Sequence, residues 1–143
     1  MSTSLTSDHI AKNAMRLLGI TIFSLFLLMG NSLAGEPASW ENQETKVKGE
    51  WQIEKRSDGN YLLLGDEFKT RNAPDLKLFL SKKNFSDVKG SNATQDAIFL
   101  AKLNSNKGAQ AYKIPANVNL QDYESLVLHC EQFSKLWAST PIH

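Results

Sequence analysis

Leu76, Leu78 and Leu80 alternate with Lys77, Phe79 and Ser81, and this period of two does most to constrain the fold. Successive strand side chains point to opposite faces, so one face of this segment is apolar throughout. The pattern recurs along the chain. Val47, Gly49, Trp51 and Ile53 share one parity, and Tyr61 to Leu64 follows after Arg56-Ser57-Asp58-Gly59-Asn60. Asp-Gly supplies the positive backbone angle that a tight hairpin needs. Further strands are expected at Ala97 to Leu103, at Ala109 to Ile114 before Pro115, and across Ser125 to Ala138 with a bend at Gln132-Phe133-Ser134. Between them lie turns at Arg71 to Asp75 and Ser105 to Gly108, and a long polar loop over Lys82 to Asp96. No segment has a helical apolar stripe, and no internal repeat is visible. The expectation is all-β: a single-domain antiparallel β-sandwich or barrel of about seven to eight short strands, preceded by a signal peptide.

The signal peptide is read from the N-terminus. Lys12 and Arg16 precede an uncharged apolar run from Leu17 to Met29, and small residues follow at Ser32 and Ala34. A basic start, a short apolar core and small residues before the cut describe a secretory leader. The run falls short of the roughly 20 residues of a membrane span. The domain reading is therefore 1–34 signal peptide, 35–45 linker and 46–143 β domain. The product is expected to be periplasmic or extracellular after cleavage near Ala34, with no stable membrane insertion once the leader is gone.

Composition narrows the partners and the chemistry. Removing Lys12, Arg16 and Asp8 with the leader leaves equal numbers of basic and acidic residues. A balanced charge gives no reason to expect nucleic acid as a partner. All three methionines lie in the leader, so residues 35–143 keep His129, His143 and Cys130 as the soft ligands. A blue-copper centre wants two histidines, a cysteine and usually a methionine, and a structural zinc site wants several Cys and His at short spacing. Neither is present, and no CxxCH offers covalent haem attachment. No nucleophile elbow or Gly-rich phosphate loop points to a stand-alone hydrolytic enzyme. Asp66, Lys69 and Asp75 flank turns. They are candidates to line a site, or are ordinary turn-capping and solvated residues.

Cys130 is the one cysteine. It cannot form an internal disulfide, so in an oxidising compartment it is buried, paired with another molecule, or functional. It shares a strand face with Leu126 and Leu128, whereas His129 falls on the opposite face. The adjacent imidazole therefore does not reach the thiol unless a bulge intervenes.

Several pieces together resemble the DM-thirteen domain, a small exported domain described as electron-transferring. They are Gly49-x-Trp51, Gly59-x-Tyr61-x-Leu63, Asp66-x-Phe68-Lys69-Thr70, and Pro74-Asp75-Leu76-Lys77-Leu78-Phe79-Leu80-Ser81. They continue with Leu103-x-Ser105-Asn106-x-Gly108-x-Gln110-x-Tyr112-x-Ile114-Pro115, Asp122-Tyr123-x-Ser125, Cys130-Glu131-x-Phe133 and Trp137-Ala138. The resemblance covers about residues 46–141. It implies a β-rich domain in which Cys130 does redox work as a free thiol or as ligand to a prosthetic group. A non-covalent haem held by Cys130 or His129 follows only from the resemblance. So does an exported or membrane-bound redox partner protein. Two positions depart from the family pattern: Ala73 stands where a glycine is usual, and His129 where an aromatic residue is usual.

Two functions remain open on the sequence. One is an exported small redox module, working by electron transfer or thiol chemistry through Cys130, with Asp75 and Lys69 as further candidates. The other is a non-catalytic exported binding or assembly module with a structural, buried cysteine.

Overall fold

The structure, a computed structural model, describes residues 33–143. Of the leader read over residues 1–34, residues 1–32 lie outside the described residues. Nine strands are present among the described residues: β1 (Leu33–Ala34), β2 (Asn42–Gln43), β3 (Trp51–Arg56), β4 (Gly59–Leu64), β5 (Leu76–Ser81), β6 (Ala97–Lys102), β7 (Gln110–Lys113), β8 (Ser125–Cys130) and β9 (Lys135–Pro141). Three single-turn 3-10 segments interrupt them, at Phe85–Asp87, Leu120–Asp122 and Glu131–Phe133. There is no α-helix among the described residues.

The strands form two antiparallel sheets, ordered β1-β3-β4-β7 and β2-β9-β8-β5-β6. The expected all-β fold is therefore observed, as a sandwich. The Asp58-Gly59 hairpin joins β3 to β4 in register, Trp51 opposite Leu64 and Arg56 opposite Gly59. From the first sheet Trp51, Leu62, Leu64, Tyr112 and Ile114 point inward. From the second come Leu76, Leu78, Leu80, Leu126, Leu128 and Cys130. Burying this apolar surface, at about 25 cal/mol per Å², is what holds the two layers together.

The second sheet is covered on its outer face too. The loop 82–96, expected at the surface, folds back and places Val88 and Ala93 on Phe79, Val127 and Leu136 as a separate buried cluster. All six residues of β8 are buried as a result. The alternation on β5 and β8 is thus real, but its "polar" face is also interior at Phe79, Ser81, Ser125, Val127 and His129. Asn84 and Asn92, each the start of a glycosylation-type triplet, serve this loop as caps. The Asn84 side chain accepts from the Ser86 amide at 3.0 Å, and Asn92 accepts from the Lys89 amide at 2.8 Å.

Residues 35–45, expected as a linker, run along the sandwich. Ala38 bridges Trp51, Trp40 is buried, and β2 pairs with β9. The cleavage site expected after Ala34 falls at the end of β1, whose two residues pair with Lys55 and Glu54 at the sheet edge.

Candidate functional site

β8 places Cys130 at its last position. The strand is in unbroken register with β5, Leu76 opposite Cys130, Lys77 opposite His129 and Leu78 opposite Leu128. Alternation is therefore preserved, and the thiol and the imidazole lie on opposite faces. A bulge does occur, but on the other side: β9 carries an extra residue, since Leu128 faces Ala138 while His129 faces Leu136. The residue left between is Trp137. The bulge turns it into the same inner cluster as Cys130.

Cys130 is 0% exposed and unpaired. Its position in the chain is unusual for a core residue. Directly after it the chain enters the turn Glu131 to Lys135, and every residue of that turn is exposed, Phe133 to 62%. The turn ends on Ser134, whose φ of 48° and ψ of 43° are left-handed. It is fastened at both ends, with Lys135 paired to Cys130 and Gly90 packed against the Ser134 backbone. The Glu131 amide donates to the Asp75 carbonyl at 3.1 Å, and the Lys77 ammonium joins the Glu131 carboxylate and the Asp75 carboxylate, the latter at 3.2 Å. The hydrogen bond to Glu131 raises the affinity of Lys77 for its proton above the usual lysine range, with partial desolvation opposing it and Asp75 adding to the rise.

His129 is 2% exposed and lies edge-on to Phe79, with ring centroids 6.3 Å apart. It occupies the place of the aromatic residue usual in the family pattern. It adds one bond that a phenyl ring cannot make. Its Nε2 lies 3.1 Å from the Gly90 carbonyl oxygen, which only accepts, so Nε2 carries the proton and Nδ1 is left as a buried acceptor without a partner. His129 thereby pins the loop 82–96 to the sheet. Ala73, the second departure, is not among the residues with positive φ, so the fold does not require a glycine there.

The other candidates are dispersed. Asp75 pairs with Lys77 and, at 3.9 Å, with Lys102, and so belongs to the fastening of the 131–135 turn. Lys69 is on the opposite side of the Arg71–Asp75 turn, in a short ladder with Lys48 and Lys107. Asp66 is exposed and lines a separate cleft with Trp51 and Leu64. His143 bonds the Tyr123 carbonyl at 3.1 Å.

A prosthetic group needs an open coordination position and room beside it. Cys130 is closed in by Leu76, Leu128 and Trp137 within one packed cluster, and His129 is closed in on the other face by Phe79 and the 82–96 loop. Four clefts formed by the described residues are lined by neither. Neither side chain, as placed, fits a haem. Among the described residues no group of three His, Cys, Asp or Glu is placed to hold a metal ion.

The sequence pattern of the family described as electron transfer DM13 matches residues 39–142. The chain belongs to this family. The match takes in Trp40 and β2, in agreement with their packing on the sandwich. No curated protein and no solved structure matches the chain. Within the DM13 domain seen here, sequence reasoning found the face of Cys130 and the bend at Gln132-Phe133-Ser134 that follows it.

Proposed function

We propose that the chain is a small exported redox module that exchanges electrons with a partner protein through the thiol of Cys130. The observation that carries this reading is the position of the one cysteine of an electron-transfer family domain. It is sealed in the core, yet is the last residue before a wholly exposed turn. Opening that turn uncovers the thiol without dismantling either sheet, and local openings of this kind cost less than global unfolding.

A lone thiol can enter a two-electron exchange through a mixed disulfide. The Cys130 thiolate attacks a disulfide of the partner, a new S–S bond forms as the partner's S–S bond breaks, and one partner sulfur leaves as thiolate. A second thiolate then attacks the Cys130 sulfur and releases the partner as its dithiol. Cys130 cannot supply it, and a thiolate of the same partner would only reverse the first step, so it comes from a separate thiol reductant, a second thiol of which frees Cys130 and leaves as the disulfide. Export rests on the leader pattern of residues 1–34, and recovery of secreted protein beginning at Gly35 tests it.

The second reading, a non-catalytic binding module, has the complete burial of Cys130 in its favour, since structural buried thiols are inert. The two separate in one experiment. Under native conditions a thiol reagent labels Cys130 faster than the protein unfolds if the turn opens as proposed. Labelling confined to the unfolded chain supports the binding module.

A further inference from the structure

We infer that a ribbon of five cations around Lys69 is the docking surface for an acidic patch on a partner protein. Three extended segments lie side by side. The Lys48 amide donates to the Lys69 carbonyl at 2.9 Å and the Lys69 amide to the Lys48 carbonyl at 3.2 Å. On the other side the Thr70 amide donates to the Asn106 carbonyl at 2.9 Å and the Gly108 amide to the Phe68 carbonyl at 2.8 Å. Lys69 is thus the middle of an antiparallel row, with Lys48 and Lys107 directly opposite it.

Alternation sorts the side chains. Thr45, Val47, Phe68 and Thr70 are buried, whereas Lys46, Lys48, Lys69, Arg71 and Lys107 are exposed. The register of Lys48 with Lys69 also sets Lys46 across from Arg71, and these four cations with Thr70 line a shallow cleft of about 190 Å³. The outward positions 46, 48, 69 and 71 are all cationic.

This arrangement opposes stability. Directly opposite residues have Cα atoms about 4.5–5.5 Å apart, and like charges at such positions are destabilising. Elsewhere Arg56, Lys77, Lys83, Lys102 and Lys113 are paired with carboxylates. Among the described residues none of the five ribbon cations forms an ion pair. A near-neutral protein that gathers unpaired cations in one row has a local potential of the kind that steers an oppositely charged partner.

The surroundings identify the class of partner. Exposed Glu44, Glu50, Asp66 and Glu67 flank the ribbon in the chain. They oppose a uniformly negative surface such as duplex nucleic acid or an anionic bilayer, and suit a finite acidic patch on a folded protein. The ribbon is also tied to the redox site. Thr70 accepts from the Trp137 indole at 2.8 Å and donates to the Lys46 carbonyl at 3.1 Å. Trp137 shares the inner cluster with Cys130, and the Arg71–Asp75 turn leads from the ribbon to Leu76, the strand partner of Cys130. That the partner exchanges electrons rests on the proposed function; the docking itself does not use the thiol.

The test is a titration of the purified protein with a short Glu- and Asp-rich peptide, followed by backbone amide NMR. The peptide is expected to shift the resonances of Lys46, Lys48, Lys69, Arg71 and Lys107, with an affinity that falls as salt is added. Lys69→Glu is expected to weaken binding at least about tenfold while raising the thermal midpoint, because it relieves the row of like charges. Lys55→Glu, on β3 outside the ribbon, leaves both unchanged, and Cys130→Ser leaves peptide binding intact even if redox exchange is lost. Absence of shifts at these residues overturns the inference. So does tighter binding at the ribbon by duplex DNA or phosphatidylserine vesicles than by the peptide.

Discussion

The indole nitrogen of Trp137 donates to the hydroxyl of Thr70 at 2.8 Å, and both groups are buried. This bond joins the bulge of β9, beside the Cys130 cluster, to the segment that displays Lys69 and Arg71. Thr70 is flanked by exposed cations but is itself held in the core, so the surface row is fixed by an interior contact.

Thr70→Val keeps the volume and removes both hydrogen bonds of the hydroxyl. It leaves a buried indole N–H without an acceptor, at a cost of about 1–3 kcal/mol. Chemical denaturation reads the loss. A double-mutant cycle with Trp137→Phe recovers most of it, because the phenyl ring leaves no donor unsatisfied.

Lys77 fastens the turn that follows Cys130 by joining Glu131 to Asp75. Lys77→Ala is expected to raise the native-state labelling rate of Cys130 by Ellman's reagent severalfold, with little change in global stability, since exposed ion pairs contribute little to it. The pH dependence has a definite sign. The folded-state pKa of Lys77 is raised, so the contribution of the pair is complete below the ordinary lysine value of 10.5 and is lost as pH rises through the folded value. Labelling, corrected for the reactivity of the free thiol, therefore accelerates at alkaline pH in the wild type. It does so less in Lys77→Ala.

Gly90 is where the 82–96 loop meets the sheet. A Cβ there would lie 2.2 Å from the Ser134 carbonyl oxygen and 3.1 Å from the Lys135 Cα, both backbone atoms. Gly90→Ala is expected to lift the loop and cost about 1–3 kcal/mol by overpacking. Hydrogen exchange should report faster opening at Val88 and Val127, with the hairpin of β3 and β4 unchanged.

The fold was legible because its strands obey the period of two and its turns carry Asp-Gly, Pro-Asp and Gly-containing sequences. The face of Cys130 was legible for the same reason. The cover over the outer sheet face was not. Val88 and Ala93 are isolated apolar residues in a polar stretch, and only the folded chain brings them onto Phe79 and Leu136. The tight approach of Gly90 to Ser134 depends on the same folding. The cationic ribbon was hidden differently. Lys46-Val47-Lys48, Lys69-Thr70-Arg71 and Lys107 are far apart in sequence, and acidic residues nearby cancel them in any charge count. Pairing of three segments is needed to align them. Trp40 was read as part of a linker because one aromatic residue sets no periodicity.

Asp58 ties the β3–β4 hairpin to β7. Hydrogen bonds from Lys113 and Tyr61 hold its carboxylate below the ordinary value of 3.8. A lowered folded-state pKa means that the contribution is present above the ordinary value and is lost as pH falls below it. Asp58→Asn should flatten the acid limb of the stability–pH curve, measured by thermal melts between neutral pH and acid, with a small loss at neutral pH that disappears in acid.

The most direct test of the central claim is the reaction of Cys130 with a disulfide in the native protein. Purified protein is incubated with oxidised glutathione under native conditions, and the mixed disulfide is followed by mass spectrometry. Its rate of formation is compared with the global unfolding rate measured in parallel. The redox reading predicts that the adduct forms at Cys130 faster than the protein unfolds, and faster still in Lys77→Ala. Formation no faster than global unfolding in both proteins would contradict it and leave Cys130 as a residue of the core.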